Sequence, residues 1–128
     1  MSDLRTPLAK VRGLGSARDG TDHYIAQRLT AIALVPLLLW FVFSLAFVAG
    51  QDFQHVQAWV KSPFNSIALI LLSMVLIYHA HIGLHEVVED YLHEDIVKTI
   101  AMVLMKFLAI SLIVTAIVAV LRIVVLGG

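Results

Sequence analysis

The chain contains no cysteine. That absence excludes an iron–sulfur cluster, a CxxCH haem attachment and any disulfide made by this chain. Charge is also scarce, at 14% of residues, against about 25% in an ordinary soluble domain. The nine basic and nine acidic residues cancel, so the formal net charge is zero. A chain without a basic surplus has no electrostatic footprint for nucleic acid. What fills the sequence instead is apolar: 60% of residues are hydrophobic, where soluble domains hold about 45–50%. In 128 residues, one domain by length, that excess is too large for a soluble core. The lipid bilayer is the expected solvent.

Three long apolar runs organise the chain, over about 29–49, 64–88 and 99–126. Each is long enough to cross a hydrocarbon core as a helix, which takes about 20 residues. Residues 1–28 are polar, with Pro7, Gly13, Gly15 and Gly20 as breakers, and are expected to be irregular. The first run is longer than a signal-peptide core of about 7–15 residues and starts late. Residues 1–28 are therefore expected to form a non-cleaved cytoplasmic segment, with 29–128 as a transmembrane anchor domain. Pro36 interrupts the first run, a kink that neighbouring helices can accommodate. Trp40 lies too deep for a simple interfacial anchor and is expected to face protein or a cofactor. A short polar loop is expected over 50–62, with Trp59 and Lys61 in the headgroup zone. Pro63 suits the first position of the second helix. The fold class expected is an all-α membrane protein, three transmembrane helices running up-down-up within a heteromeric bundle.

Lysine and arginine set the direction. Arg5, Lys10, Arg12, Arg18 and Arg28 precede the first run; the first loop holds only Lys61, and the second holds Lys98 with Lys106 just beyond. The N-terminal segment and second loop are therefore expected on the cytoplasmic side of a bacterial inner membrane.

Four of the six histidines fall in one stretch, His79-Ala80-His81-Ile82-Gly83-Leu84-His85-Glu86-Val87-Val88-Glu89-Asp90-Tyr91-Leu92-His93. Ionisable groups at membrane depth are costly and usually functional. At about 100° per residue on one helix, His79, Gly83, Glu86 and Asp90 share a face, while His81 and His85 point nearly opposite and Tyr91 points a third way. Gly83, one turn after His79, would let a bulky planar group approach the backbone. His79 has three readings: a buried imidazole bonded to a hydroxyl or carbonyl, an axial ligand of a non-covalent b-type haem, or one step of a proton or metal relay. With no histidine inside the first or third run, a bis-histidine haem would need its second ligand from another chain. Asp90 and Tyr91 read either as an ordinary interfacial pair or as a hydroxyl donor with a carboxylate at a quinone site. Arg28 reads as an interfacial anchor or as a partner for an anionic propionate. His93 is expected to be solvated.

The run YHAHIGLHEVVEDYLHED resembles the small membrane-anchor subunit of succinate dehydrogenase. That family places a glycine four residues after a histidine, and an Asp-Tyr pair with the tyrosine twelve residues after it. Here these are His79, Gly83, Asp90 and Tyr91; His81 and His93 also match the mitochondrial form. The segment DHYIAQRLTAIAL resembles the start of the family's first helix, with Arg28 in its arginine position. The sequence departs at His85-Glu86, where the family often has an apolar or aromatic residue followed by glutamine. The resemblance implies that His79 is an axial ligand of haem b. It also implies that Tyr91 hydrogen-bonds ubiquinone with Asp90 in support, and that Arg28 lies near a propionate or the site mouth. It implies partners as well: a second haem-binding anchor subunit, an iron–sulfur subunit and a flavoprotein subunit that oxidises succinate. By itself this chain would then catalyse nothing. Two other functions compete: a histidine-lined proton or metal transporter working as a homo-oligomer, and a structural anchor without cofactor.

Overall fold

Five helices and no strands make up the described residues, which in this computed structural model are 4, 6–13 and 17–127. Arg5 and Gly15 lie outside them. The helices are α1 (Pro7–Val11), α2 (Ala17–Val48), α3 (Phe53–Lys61), α4 (Pro63–Tyr91) and α5 (Asp95–Leu126). Three of them, α2, α4 and α5, are long and apolar enough to cross a membrane. At 32, 29 and 32 residues they exceed the length needed for a hydrocarbon core of about 30 Å, so their ends project or the helices tilt.

Two expectations are corrected here. Residues 1–28 are not irregular throughout: α2 starts at Ala17, and Gly20 lies inside it. The polar residues of 17–28 can be helical because they prolong an apolar run that already propagates a helix, and one glycine costs only about 1 kcal/mol there. The loop expected over 50–62 holds α3, whose first turn is capped by the Asp52 side chain accepting from the His55 backbone N–H at 3.1 Å. The hydrogen bond between the Asp52 carboxylate and the His55 ring lowers the Asp52 pKa, and the backbone bond from His55 lowers it further. A carboxylate at a helix N-terminus also satisfies orphan N–H groups. Pro63 stands at the start of α4, as expected.

Helix α4 is central. It packs against α2 on one side and α5 on the other, and the two outer helices do not pack against each other. The buried apolar residues are few, Leu34 from α2 with Ala68, Leu72 and Ile82 from α4. A soluble protein could not leave so much leucine, valine and phenylalanine uncovered; in lipid those faces need no cover, and small residues such as Ser66 and Ala68 set the close approaches. Hydroxyls within the spans bond back to their own helix. Ser73 donates to the Leu69 carbonyl at 2.8 Å, Ser111 to Phe107 at 2.8 Å and Thr115 to Ser111 at 2.7 Å. No water is needed to satisfy them.

Trp40 finds protein at the end of the span away from the N-terminus. It stacks on Trp59 of α3 with ring centroids 5.7 Å apart and meets the edge of Phe64 at 6.1 Å. Asn65 donates to the Trp59 carbonyl at 2.9 Å, tying α3 to α4. At the close of α5, Gly127 adopts φ +80° and its N–H bonds the Ile123 carbonyl. A Cβ there would be strained and would sit 3.3 Å from the Lys61 Nζ, so glycine both ends α5 and lets α3 lie across it.

Candidate functional site

The second half of α4 carries the histidine stretch, and α2 supplies its first partner. His79 Nδ1 lies 2.8 Å from the Thr30 hydroxyl, across the α2–α4 seam. That hydroxyl is also 2.7 Å from the Ala26 carbonyl and 3.1 Å from the Gln27 carbonyl. A threonine has one proton to give and lone pairs to accept with. Where that proton goes to the Ala26 carbonyl, the His79 Nδ1 carries the hydrogen and donates to Thr30, which leaves the lone pair on Nε2; where it goes to His79, the roles reverse. A ring held through Nδ1 is oriented, as metal-bound imidazoles are by their outer partners. The hydroxyl expected for a buried histidine is thus present, and the same bond leaves the other ring nitrogen uninvolved.

Gly83 faces space. A Cβ built there meets no atom of the chain within 4 Å, so nothing in this fold fills the surface one turn from His79. Asp90 and Tyr91 end the helix, both exposed, with Tyr91 77% accessible. Asp90 falls on the His79 side and Tyr91 turns away. Arg28 Nε donates to the Tyr24 hydroxyl at 3.1 Å and its guanidinium lies 5.3 Å from the centre of the same ring. That contact is within one helix turn, so it sets the side chain's direction without occupying all of its donors. His93 is exposed, with Nδ1 3.1 Å from the Tyr91 carbonyl.

Further along the same α2–α4 seam the structure brings a second pair of histidines together, so His85 meets α2 as His79 does. Because α2 begins early, His23 lies inside the first candidate span, Gly20–Val48. This corrects the expectation that the first run contributes no histidine. The His23 and His85 rings are tilted 35° with centroids 5.3 Å apart. A cleft of about 560 Å³ runs beside them, lined by Tyr24, Gln27, Glu86 and Glu89 among others. Glu86 is thereby placed towards α2. Among the described residues no three His, Cys, Asp or Glu side chains converge to hold a metal ion.

Two of these residues were not foreseen as part of a site. Thr30 had a signal, a hydroxyl inside the apolar run two residues after Arg28. Its pairing with His79 depends on how α2 and α4 cross, which periodicity does not contain. His23 was missed because the apolar run was read from Leu29.

The geometry can be set beside known proteins. The family model for the succinate dehydrogenase/fumarate reductase transmembrane subunit matches residues 2–123. The succinate dehydrogenase hydrophobic membrane anchor subunit of Rickettsia bellii is 33% identical, over 92% of this chain and 94% of its own length. Its counterpart in Rickettsia conorii is 29% identical over 91% and 94%. The succinate dehydrogenase membrane anchor subunit of Reclinomonas americana is 31% identical over 74% and 82%. No solved structure gives a significant match.

Proposed function

The chain belongs to the family of succinate dehydrogenase/fumarate reductase transmembrane subunits, as a multi-pass membrane-anchor subunit, and from that premise we propose that His79 ligates a haem b and that Tyr91 forms part of a ubiquinone-reduction site. The observation that carries the haem assignment is the Thr30–His79 hydrogen bond, which engages Nδ1 and leaves Nε2 outside that bond. The open surface at Gly83 supports it, since a macrocycle beside His79 would need that room. The residues present fit the group. Bound haem b supplies a one-electron site within the membrane. His79 would hold the haem iron and Arg28 would pair with a propionate carboxylate. The second ligand belongs to a second anchor subunit.

Tyr91 works at the membrane edge. Its phenol donates a hydrogen bond to a quinone carbonyl, and that bond strengthens as negative charge grows on the oxygen. Asp90, next in chain and exposed to water, keeps a proton acceptor and donor near the site. His79 and Tyr91 are about 18 Å apart along the helix, so the two sites are separate. An iron–sulfur subunit docked on the same side would deliver the electrons that a flavoprotein subunit takes from succinate. This chain's own contribution is to hold, orient and tether.

The test is a trio of substitutions in the assembled complex, read by the reduced-minus-oxidised optical spectrum. His79→Ala removes or displaces the b-type band, while His81→Ala changes it less. A normal spectrum in His79→Ala, or loss of the band in His85→Ala alone, overturns the assignment.

A further inference from the structure

His23, His81, His85 and the exposed Lys106 converge on a cavity of about 310 Å³, with Tyr78 and Met102 completing much of its wall. No carboxylate lines it. Its polar groups are three imidazoles, a lysine amine and a phenol. The His81 Nδ1 is buried and has no hydrogen-bond partner. Lys106 makes no ion pair among the described residues, and lies about 17 Å along α5 from Asp95. A lone ammonium inside an apolar helix calls for an anion or a route to the surface. Acids line the two adjoining clefts: Glu86 and Glu89 in the one that shares His23 and His85, and Asp22 in the one that shares His23, Tyr78 and Ile82.

His81 also lines a second cavity between α4 and α5, and there every other wall is apolar, including Ile77, Leu84, Leu108 and Leu112. Along α5 this groove lies deeper than the histidine cavity, at Met105 to Leu112 against Met102 and Lys106. A donor-rich pocket adjoining an apolar groove has the polarity profile of a phospholipid. From this juxtaposition we propose that the cavity binds the phosphodiester headgroup of an anionic phospholipid from the leaflet on the N-terminal side, with an acyl chain in the α4–α5 groove. Lys106 supplies the charge, and the imidazoles and Tyr78 donate to phosphate oxygens. The site is independent of the haem and quinone assignments.

The experiment uses the intact complex, delipidated and moved into nanodiscs of phosphatidylcholine alone or with phosphatidylglycerol. Acylation of Lys106 is followed by mass spectrometry, with Lys98 as the control for general surface potential. Phosphatidylglycerol protects Lys106 about tenfold or more, the scale of a charge-assisted hydrogen bond, and leaves Lys98 little changed. Inorganic phosphate added to phosphatidylcholine discs gives no protection. In native mass spectra Lys106→Gln loses a retained anionic lipid that Lys106→Arg keeps. Should Lys106→Gln fail to assemble, the wild-type labelling decides alone. Equal labelling in both discs overturns the proposal. So does protection in every lipid, which would mean a protein carboxylate covers Lys106. Protection by inorganic phosphate alone overturns it too, in favour of a free-anion site.

Discussion

Two hydroxyls divide the work at the residue scale. On the proposed haem assignment Thr30 acts through His79 without touching the cofactor, as a positioning residue. Thr30→Val keeps the branched shape and removes the bond to Nδ1. Loss of such an orienting partner costs about 10–100-fold in metal affinity. Haem occupancy of the assembled complex should fall on titration with a competing apo-protein, the band should shift, and Thr30→Ser should restore both. Unchanged occupancy and spectrum in Thr30→Val would mean the hydroxyl serves only helix packing. Tyr91 acts directly. It is exposed in this chain, as a residue must be if a partner and a substrate are to close over it. Tyr91→Phe keeps the ring and deletes the donor. It should impair succinate:quinone turnover by about 10–100-fold or more, in the range of losing one donor aimed at developing charge. The haem spectrum should stay intact, as should succinate oxidation by a soluble artificial acceptor. Normal quinone turnover would reduce Tyr91 to an aromatic-belt residue.

Direction and packing are decided at the scale of the elements. The Lys/Arg surplus before the first apolar run predicts that the N-terminus and the α4–α5 turn share the cytoplasmic side and that α5 ends across the membrane. A reporter active only outside the cytoplasm, fused after Gly128, should be active; activity of a cytoplasm-only reporter there would contradict the arrangement. Helix number and order were legible because three apolar runs at bilayer length admit few other arrangements. Helix ends were less so. The run before Leu29 is polar, yet α2 reaches back to Ala17, because a helix once nucleated extends through residues that would not start one. Similarly, Phe53–Lys61 looked like a loop because it is short and mixed, and α3 depends on an Asp52 cap and on Trp59 stacking with Trp40. Within the candidate site, the shared face of His79, Gly83 and Asp90 follows from helical spacing. The Thr30 partner and the His23–His85 contact depend on tertiary packing between α2 and α4, about which a single helix says nothing.

For the whole molecule, incompleteness is the informative property. Three spans expose most of their apolar surface, α4 offers one ligand nitrogen beside an unfilled glycine, and no cluster of described residues could hold a metal unaided. Such a chain suits a subunit, and on the proposed assignment it carries half of a haem site. Expressed without partners it should bind little haem and be degraded, whereas a homo-oligomeric transporter would be stable and self-sufficient. The most direct measurement is purification of the tagged chain from its native membranes, assayed for succinate:quinone reductase activity and for a reduced b-type haem band. The account predicts that both co-purify with the tag in a heteromeric complex. A stable homo-oligomer of this chain, carrying neither activity nor haem, would contradict it.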